Sequence, residues 1–328
     1  MPLVSGAVSV TRCDVVQRPS PDFESQAFRA IAPGSEVRES LGFVPFEPGA
    51  EYQIGTERYA FRVRLDRLRP DPTAVKERVR ELLRVEREQA GVPMVGARRV
   101  RELRALAEEE LLQDARPQST ILEGVLDGRL VYLGTAADTH LGRIVQLLRK
   151  AGVLVDFKTP WNDLGQEQAE SDFLEVRAAH QSVHGCTFLE RLFGDDEIAF
   201  EPSDGYAKLQ TRTARVVLSG GVLPELQRYV DEGALVLAVK LLTATSSYRL
   251  DALSFRLSGL RLERPQPGHW SERLDERLDA ISAVFEQLDR KYAQLLRARR
   301  RPQARAAVPA AAGAGAEERA DNVVPFER

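Results

Sequence analysis

Hydrophobic and polar positions along the chain repeat with two periods, and the change from one to the other predicts where strands give way to helices. Tyr59, Phe61, Val63 and Leu65 alternate with Arg58, Arg62, Arg64 and Asp66, the two-residue repeat of a strand with one apolar and one charged face. Asp71-Pro72-Thr73 then supplies a polar cap and a proline suited to a first helical turn. Val75, Val79, Leu82 and Leu83 follow at helical spacing, and Gly91-Val92-Pro93 ends the segment. A second helix is predicted from about Ala97 to Asp114, with Val100, Leu103, Ala107 and Leu111 on its apolar stripe, so the two form a charged helical hairpin.

Elsewhere the pattern predicts a strand over Val4–Thr11 and a short helix over Pro21–Ile31 with Phe23, Ala27 and Ile31 on one face. A loop begins at Gly42-Phe43-Val44-Pro45. Ile121–Leu126 and Arg129–Leu133 read as strands joined by the turn signal Asp127-Gly128. They are followed by an amphipathic helix over Ala136–Lys150 and a strand over Val153–Phe157. The remainder reads as a short helix over Thr187–Phe193, a strand over Lys208–Leu218, a helix over Pro224–Asp231, two long strands over Ala234–Ala244 and Ser254–Leu262, and a long helix over Ser271–Arg299. Strands and helices are mixed without regular alternation, which predicts an α+β fold with mixed or antiparallel sheets. The expected units are 1–71 and 119–165 as two parts of a central domain, 72–118 as the hairpin, 166–301 as a C-terminal α+β base, and 302–328 as a disordered Ala-, Gly- and Pro-rich tail.

Composition narrows the class. Of 328 residues, 43% are hydrophobic and 29% charged, ordinary for a globular protein of this length, and no apolar run approaches a membrane span. No basic-then-apolar leader precedes Val10, and two cysteines, Cys13 and Cys186, cannot build a disulfide framework, so a cytoplasmic setting is expected. The net charge of −3 hides an uneven distribution. Residues 58–104 carry 14 Lys/Arg against 7 Asp/Glu, whereas residues 160–210 carry 3 against 11. One basic face turned toward a polyanion and one acidic face turned toward water would give this pattern, and so would two solvated surfaces laced with ion pairs.

Several groups of residues have the composition of a chemical site. His180, His184 and Cys186 resemble a metal-ligand spacing, but Gly185 is expected to break a helix there, and a polar loop is the simpler reading. Asp195, Asp196 and Glu197 are consecutive carboxylates whose side chains diverge, which suits a solvated turn better than a two-metal nuclease. Ser219-Gly220-Gly221 lacks the features of a phosphate loop, and His140 and His269 sit among ordinary helix and loop residues. The arginine-rich faces are the leading candidate. Lys76, Arg80, Arg84 and Arg87 fall on successive turns of one helix, and Arg62 and Arg64 share one strand face. Rows of cations bind phosphates by counterion release without reading bases. The competing reading pairs them with Glu77, Glu81, Glu86 and Glu88. Arg299 and Arg300 belong to a second basic cluster at the end of the last helix, and Asp321–Phe326 is an acidic-then-apolar tail suited to docking on a partner.

The order of these segments, from about residue 4 to 296, resembles that of the recombination-associated RdgC proteins. It runs from Gly42-Phe43-Val44-Pro45 through the Lys/Arg/Glu hairpin ending in Leu111-Leu112, the strand with Asp127, the Leu141–Lys150 helix and Thr159-Pro160. Gly185–Phe193 is similar to that family's Phe-Leu-x-x-Leu segment. The resemblance implies a horseshoe-shaped subunit and a head-to-head homodimer closed into a ring. Double-stranded DNA would pass through a basic hole without sequence readout, and a RecA-type recombinase would be restrained, in a nucleoid-associated role. Three positions depart from the family pattern: Arg116 stands where an aromatic helps close the ring, Ser219-Gly220-Gly221 where a basic stretch is expected, and Ala234 where a lysine is expected. The expectation is therefore a non-enzymatic binder without cofactor or metal, contacting DNA through Arg62, Arg64, Lys76, Arg80, Arg84, Arg87, Arg299 and Arg300. The alternatives are a metal-dependent exonuclease, and a protein-interaction module working through the hairpin or the tail.

Overall fold

The structure is a computed structural model that describes residues 3–17, 21–32, 35, 37–91, 93–113, 115–162 and 183–300, with the side chains of 183 and 296–300 outside the description. It is an α+β fold built on one open sheet of twelve strands in which every strand-to-strand ladder is antiparallel. The N-terminal half of the sheet contains β1 (Val8–Val15), β2 (Glu39–Val44), β3 (Arg58–Leu68), β4 (Pro117–Asp127), β5 (Leu130–Leu133) and β6 (Val155–Phe157). The C-terminal half contains β7 (Ala199–Phe200), β8 (Gly205–Gln210), β9 (Arg215–Gly220), β10 (Leu235–Leu242), β11 (Ser247–Asp251) and β12 (Leu257–Arg261). The order is β2-β3-β4-β5-β1-β12-β11-β10-β8-β9, with β6 on β1 and β7 on β10. β1 joins the halves: Val8 and Val10 pair with β12, and Thr11 to Asp14 pair with β5.

Two apolar cores lie on opposite faces of the N-terminal half. Helix α3 (Asp138–Lys150) places Leu141, Ile144, Leu147 and Leu148 over Cys13, Phe61, Leu126 and Leu133 on one face. The long C-terminal helix, here α6 (Trp270–Arg300), covers the other face and runs on over the C-terminal half. Phe46 stacks on Trp270 with centroids 4.7 Å apart. Arg12, only 4% exposed, donates to both oxygens of Asp289 at 2.7 and 2.9 Å. Helices α4 (Val183–Arg191) and α5 (Leu223–Asp231) join α6 in this larger core through Cys186, Phe188, Leu189 and Leu226. Each fully buried Leu or Phe contributes roughly 1.5–3 kcal/mol, so α6 is a principal tie between the two halves. The N-terminal half thus has three layers. The C-terminal half has two, and among the described residues no helix covers its second face.

The hairpin of α1 (Pro72–Ala90) and α2 (Ala97–Leu112) continues from the β3–β4 ladder, whose last pair is Leu68 with Pro117. Its ends follow the sequence. Asp71 caps α1 by accepting from the Thr73 amide at 2.9 Å, and Gly91 closes it with φ of 62°, a left-handed conformation that glycine adopts without strain. Val75, Leu103 and Ala107 are buried between the helices, and Arg78–Glu110 and Arg99–Glu86 bridge them.

Five local expectations are corrected. Residues 21–31 form no helix beyond the single turn Glu24–Gln26, because Phe23 is held among Phe43, Tyr52 and Phe61 and the Phe28 amide donates to the Phe43 carbonyl. Gly42 lies inside β2 rather than opening a loop. A Cβ there would stand 2.4 Å from the Phe28 Cα, so a side chain would push the crossing backbone away. Gly185 does not break α4; it lies within the helix against the Ala252 backbone, where a Cβ would meet the carbonyl oxygen. Residues 208–218 are two strands, turned at Thr211, whose Oγ1 accepts from the Ala214 amide at 3.0 Å. The predicted Ser254–Leu262 strand is only β12. It is preceded by β11, which the sequence reading missed, and by a turn in which Asp251 accepts from the Ser254 amide at 2.8 Å and Phe255 has φ of 53°.

Candidate nucleic-acid interface

The candidate cations fall into two groups with different surroundings. On β3, alternation turns Ala60, Arg62, Arg64 and Asp66 toward the α6 side and Phe61 and Val63 toward α3. Arg62 donates to Glu123 Oε1 from Nε at 3.1 Å and from Nη2 at 2.9 Å, donates to the Phe46 carbonyl at 2.7 Å, and lies over the Phe46 ring at 4.5 Å. Glu123 is almost fully buried and also accepts from the Leu3 amide, so Arg62 neutralises a buried charge. Arg64 makes a two-point pair with Asp66 at 2.9 Å for both contacts, donates to Ser119, and lies over Phe28. Burial alone would raise the Asp66 carboxyl, but hydrogen bonds from Arg64 and Ser119 outweigh it and hold that carboxyl below its usual range. Most of the donors of Arg62 and Arg64 are therefore taken by protein oxygens.

On α1, Lys76, Arg80, Arg84 and Arg87 are all exposed. At 100° per residue they occupy an arc of about 80° along roughly 16 Å of helix. Arg84 pairs with Glu88 at 3.1 Å across a highly exposed i,i+4 step, and Lys76, Arg80 and Arg87 make no ion pair among the described residues. The neighbouring acids have other work, since Glu81 receives Arg78 and Glu86 receives Arg99. At the turn between the helices Met94 is 80% exposed, with Val85 and Leu106 exposed nearby along the hairpin. The side chains of Arg299 and Arg300 lie outside the description; their backbone forms the last turn of α6.

No family model and no curated protein matches this chain.

The other chemical candidates resolve differently. Asp195 accepts from the Glu197 and Ile198 amides at 2.9 Å each and from Lys291 at 3.0 Å, and Glu197 receives Lys291 at 3.1 Å and Arg290 at 3.7 Å. Burial would raise the Asp195 carboxyl, but Lys291 and the two amides together hold it low. This cluster ties the 195–198 turn to α6, and an ammonium already stands where a metal-binding pair of carboxylates would need a cation. His184 is half-buried with its ring 5.9 Å from Trp161, and burial lowers its pKa; Cys186 is fully buried, and His180 lies outside the described residues. Burial pushes the Cys13 thiol up to about 12, which makes it unreactive. Ala234 is 3% exposed in the core, and Arg116 is exposed beside the hairpin base. A cleft of about 490 Å³ lined by Val15, Gln17, Thr56, Glu57, Tyr59, Gly128 and Arg129 holds no histidine or cysteine. Among the described residues no helix is long and apolar enough to cross a membrane.

Proposed function

We propose that this chain is a non-enzymatic, sequence-independent binder of double-stranded DNA. It acts as a horseshoe-shaped subunit of a ring-forming homodimer and limits the action of a RecA-type recombinase in a nucleoid-associated role. The observation that carries the DNA contact is the exposed row Lys76, Arg80, Arg84 and Arg87 along α1, three of whose cations have no ion-pair partner among the described residues. Such a row gains affinity by displacing counterions from phosphates, a contact that carries no sequence information. The ring and its role rest on the collinear resemblance to RdgC proteins. The exposed Met94 at the hairpin turn, with Val85 in the last turns of α1, supports burial against a second copy at that end.

The test is duplex binding followed by anisotropy with two unrelated sequences. Affinities should agree within about threefold and fall by orders of magnitude between roughly 50 and 200 mM salt. Strong sequence preference or salt-insensitive binding would overturn the proposal. Labelled DNA should stay intact with Mg²⁺ or Mn²⁺, and degradation that follows the protein through purification would favour the exonuclease instead.

A further inference from the structure

The face of the C-terminal half-sheet that no described helix covers carries cations that no segment of the sequence shows as a cluster. The ladder registers place Tyr206 opposite Ser219, Lys208 opposite Val217 and Gln210 opposite Arg215. Lys240 faces Arg249, and Ser247 faces Arg261. Alternation turns Ala207, Leu209, Val239, Tyr248, Leu250, Leu257 and Leu260 into the core beneath α4 to α6. It therefore turns Arg215, Lys208, Lys240, Arg249 and Arg261 to the opposite side. These are one cation on each of five neighbouring strands, β9, β8, β10, β11 and β12. With about 4.8 Å between strands and 3.4 Å per residue, they lie on a diagonal about 28 Å long.

The row is held in place. Arg249 lies over the Tyr206 ring at 4.2 Å, and Arg215 donates to Gln210 at 3.1 Å. Lys240 is taken by Asp204 at 2.6 Å, whereas Lys208, Arg215, Arg249 and Arg261 form no ion pair among the described residues. The Asp204 carboxyl is held below its usual range by Lys240 first and also by Arg261 and Arg249, so the fields of three strands converge there. Among the described residues the acids beside this row include Asp204, Asp251 and Asp138; Asp251 is occupied with the turn amides of Leu253 and Ser254, and Asp138 pairs with Arg256.

We infer that this open sheet face is a second phosphate-binding surface, one that lies against the backbone of a nucleic-acid duplex independently of α1. The inference rests on the DNA-binding reading above and assigns it a further contact surface. The occupant follows from charge and shape. A diagonal row of five cations, interspersed with Ser247, Ser258, Ser219 and Ala238, fits a linear polyanion with one charge per about 1.7 Å of axis. It offers little apolar surface beyond Val217 and Leu253 for a folded partner.

The experiment uses the full chain and a duplex of about 30 base pairs, long enough to cover the diagonal and carry its phosphate charge past both ends. The triple variant Arg215→Gln/Arg249→Gln/Arg261→Gln alters only exposed side chains, and its thermal melt should match the wild type. Its affinity should drop at least about tenfold, and its log–log salt slope should become shallower by about 2 to 3. On the wild-type protein, bound duplex should protect Lys208 from acetylation, a readout that needs no variant to fold. If the triple variant binds as tightly as the wild type while charge reversal on α1 abolishes binding, the sheet-face inference is overturned and the DNA-binding reading stands. If the wild type binds no duplex at low salt, both fail. Protection of Lys208 by poly-glutamate but not by duplex would also overturn the inference and assign the face to an acidic protein partner.

Discussion

Strand β3 and helix α1 are consecutive along the chain and both present rows of arginines, yet their guanidinium groups do opposite things. On β3, Arg62 is drawn under the sheet by Glu123, the Phe46 carbonyl and the Phe46 ring, and Arg64 is locked onto Asp66. On α1, Lys76, Arg80 and Arg87 project into solvent without an ion-pair partner among the described residues. The difference lies in what each row packs against. β3 is flanked on both sides by strands that supply acids at fixed register, such as Glu123 directly opposite Arg62. α1 packs against α2, and among the described residues the face with Lys76, Arg80 and Arg87 stays exposed. Both segments carry four arginines, so arginine content alone does not separate a structural row from an exposed one.

Substitutions can break this comparison. The largest effect is expected for Arg62→Ala, which strands the buried Glu123; unfolding by denaturant should show a loss of about 2 to 3 kcal/mol, while duplex affinity of the folded protein is unchanged. Gly42→Ala should destabilise by about 2 kcal/mol through the forced shift of Phe28, also without altering the salt slope of binding. Arg64→Gln should change the pH dependence. In the wild type the Asp66 carboxyl is held low, so its stabilisation is present above the ordinary carboxylate range and is lost as pH falls through the depressed value. Without Arg64 the main lowering contact is lost while the burial remains, so the variant should lose less stability than the wild type as pH falls through the ordinary carboxylate range; melts that follow the wild-type trend would refute the pairing. The smallest stability effect, within about 0.5 kcal/mol, is expected for Lys76→Gln, Arg80→Gln and Arg87→Gln together.

Much of this was legible in the sequence. α1, α2, α3 and α6 have sustained helical periodicity, α1 with cap signals at both ends, and their bounds differ little from expectation. The failures have two physical causes: distant contacts that override the local pattern, and turns closed by a side chain without a glycine to mark them. Phe23 is captured by aromatic rings from β2 and β3, Gly42 is dictated by a crossing backbone, and the Thr211 turn uses a threonine hydroxyl where a glycine would have been the sequence signal. The same holds for the site. Alternation placed Arg62 and Arg64 on one strand face, but the acid that engages Arg62 is 61 residues away. The sheet-face row was invisible to any linear count because its five cations are spread from Lys208 to Arg261 and meet only through strand order. The inward-facing residues of β8, which alternate with Tyr206, Lys208 and Gln210, are the one local hint that this side stays outside the core.

The central claim is that the exposed row on α1 contacts phosphate whereas the β3 row does not. It is tested most directly by the salt dependence of duplex affinity in a variant carrying Lys76→Gln, Arg80→Gln, Arg84→Gln and Arg87→Gln, measured beside Arg62→Ala under conditions where both are folded. The slope of log affinity against log salt should become shallower by about 3 in the α1 variant and stay at the wild-type value in Arg62→Ala. An unchanged slope in the α1 variant, or a shallower one in Arg62→Ala, would contradict the account.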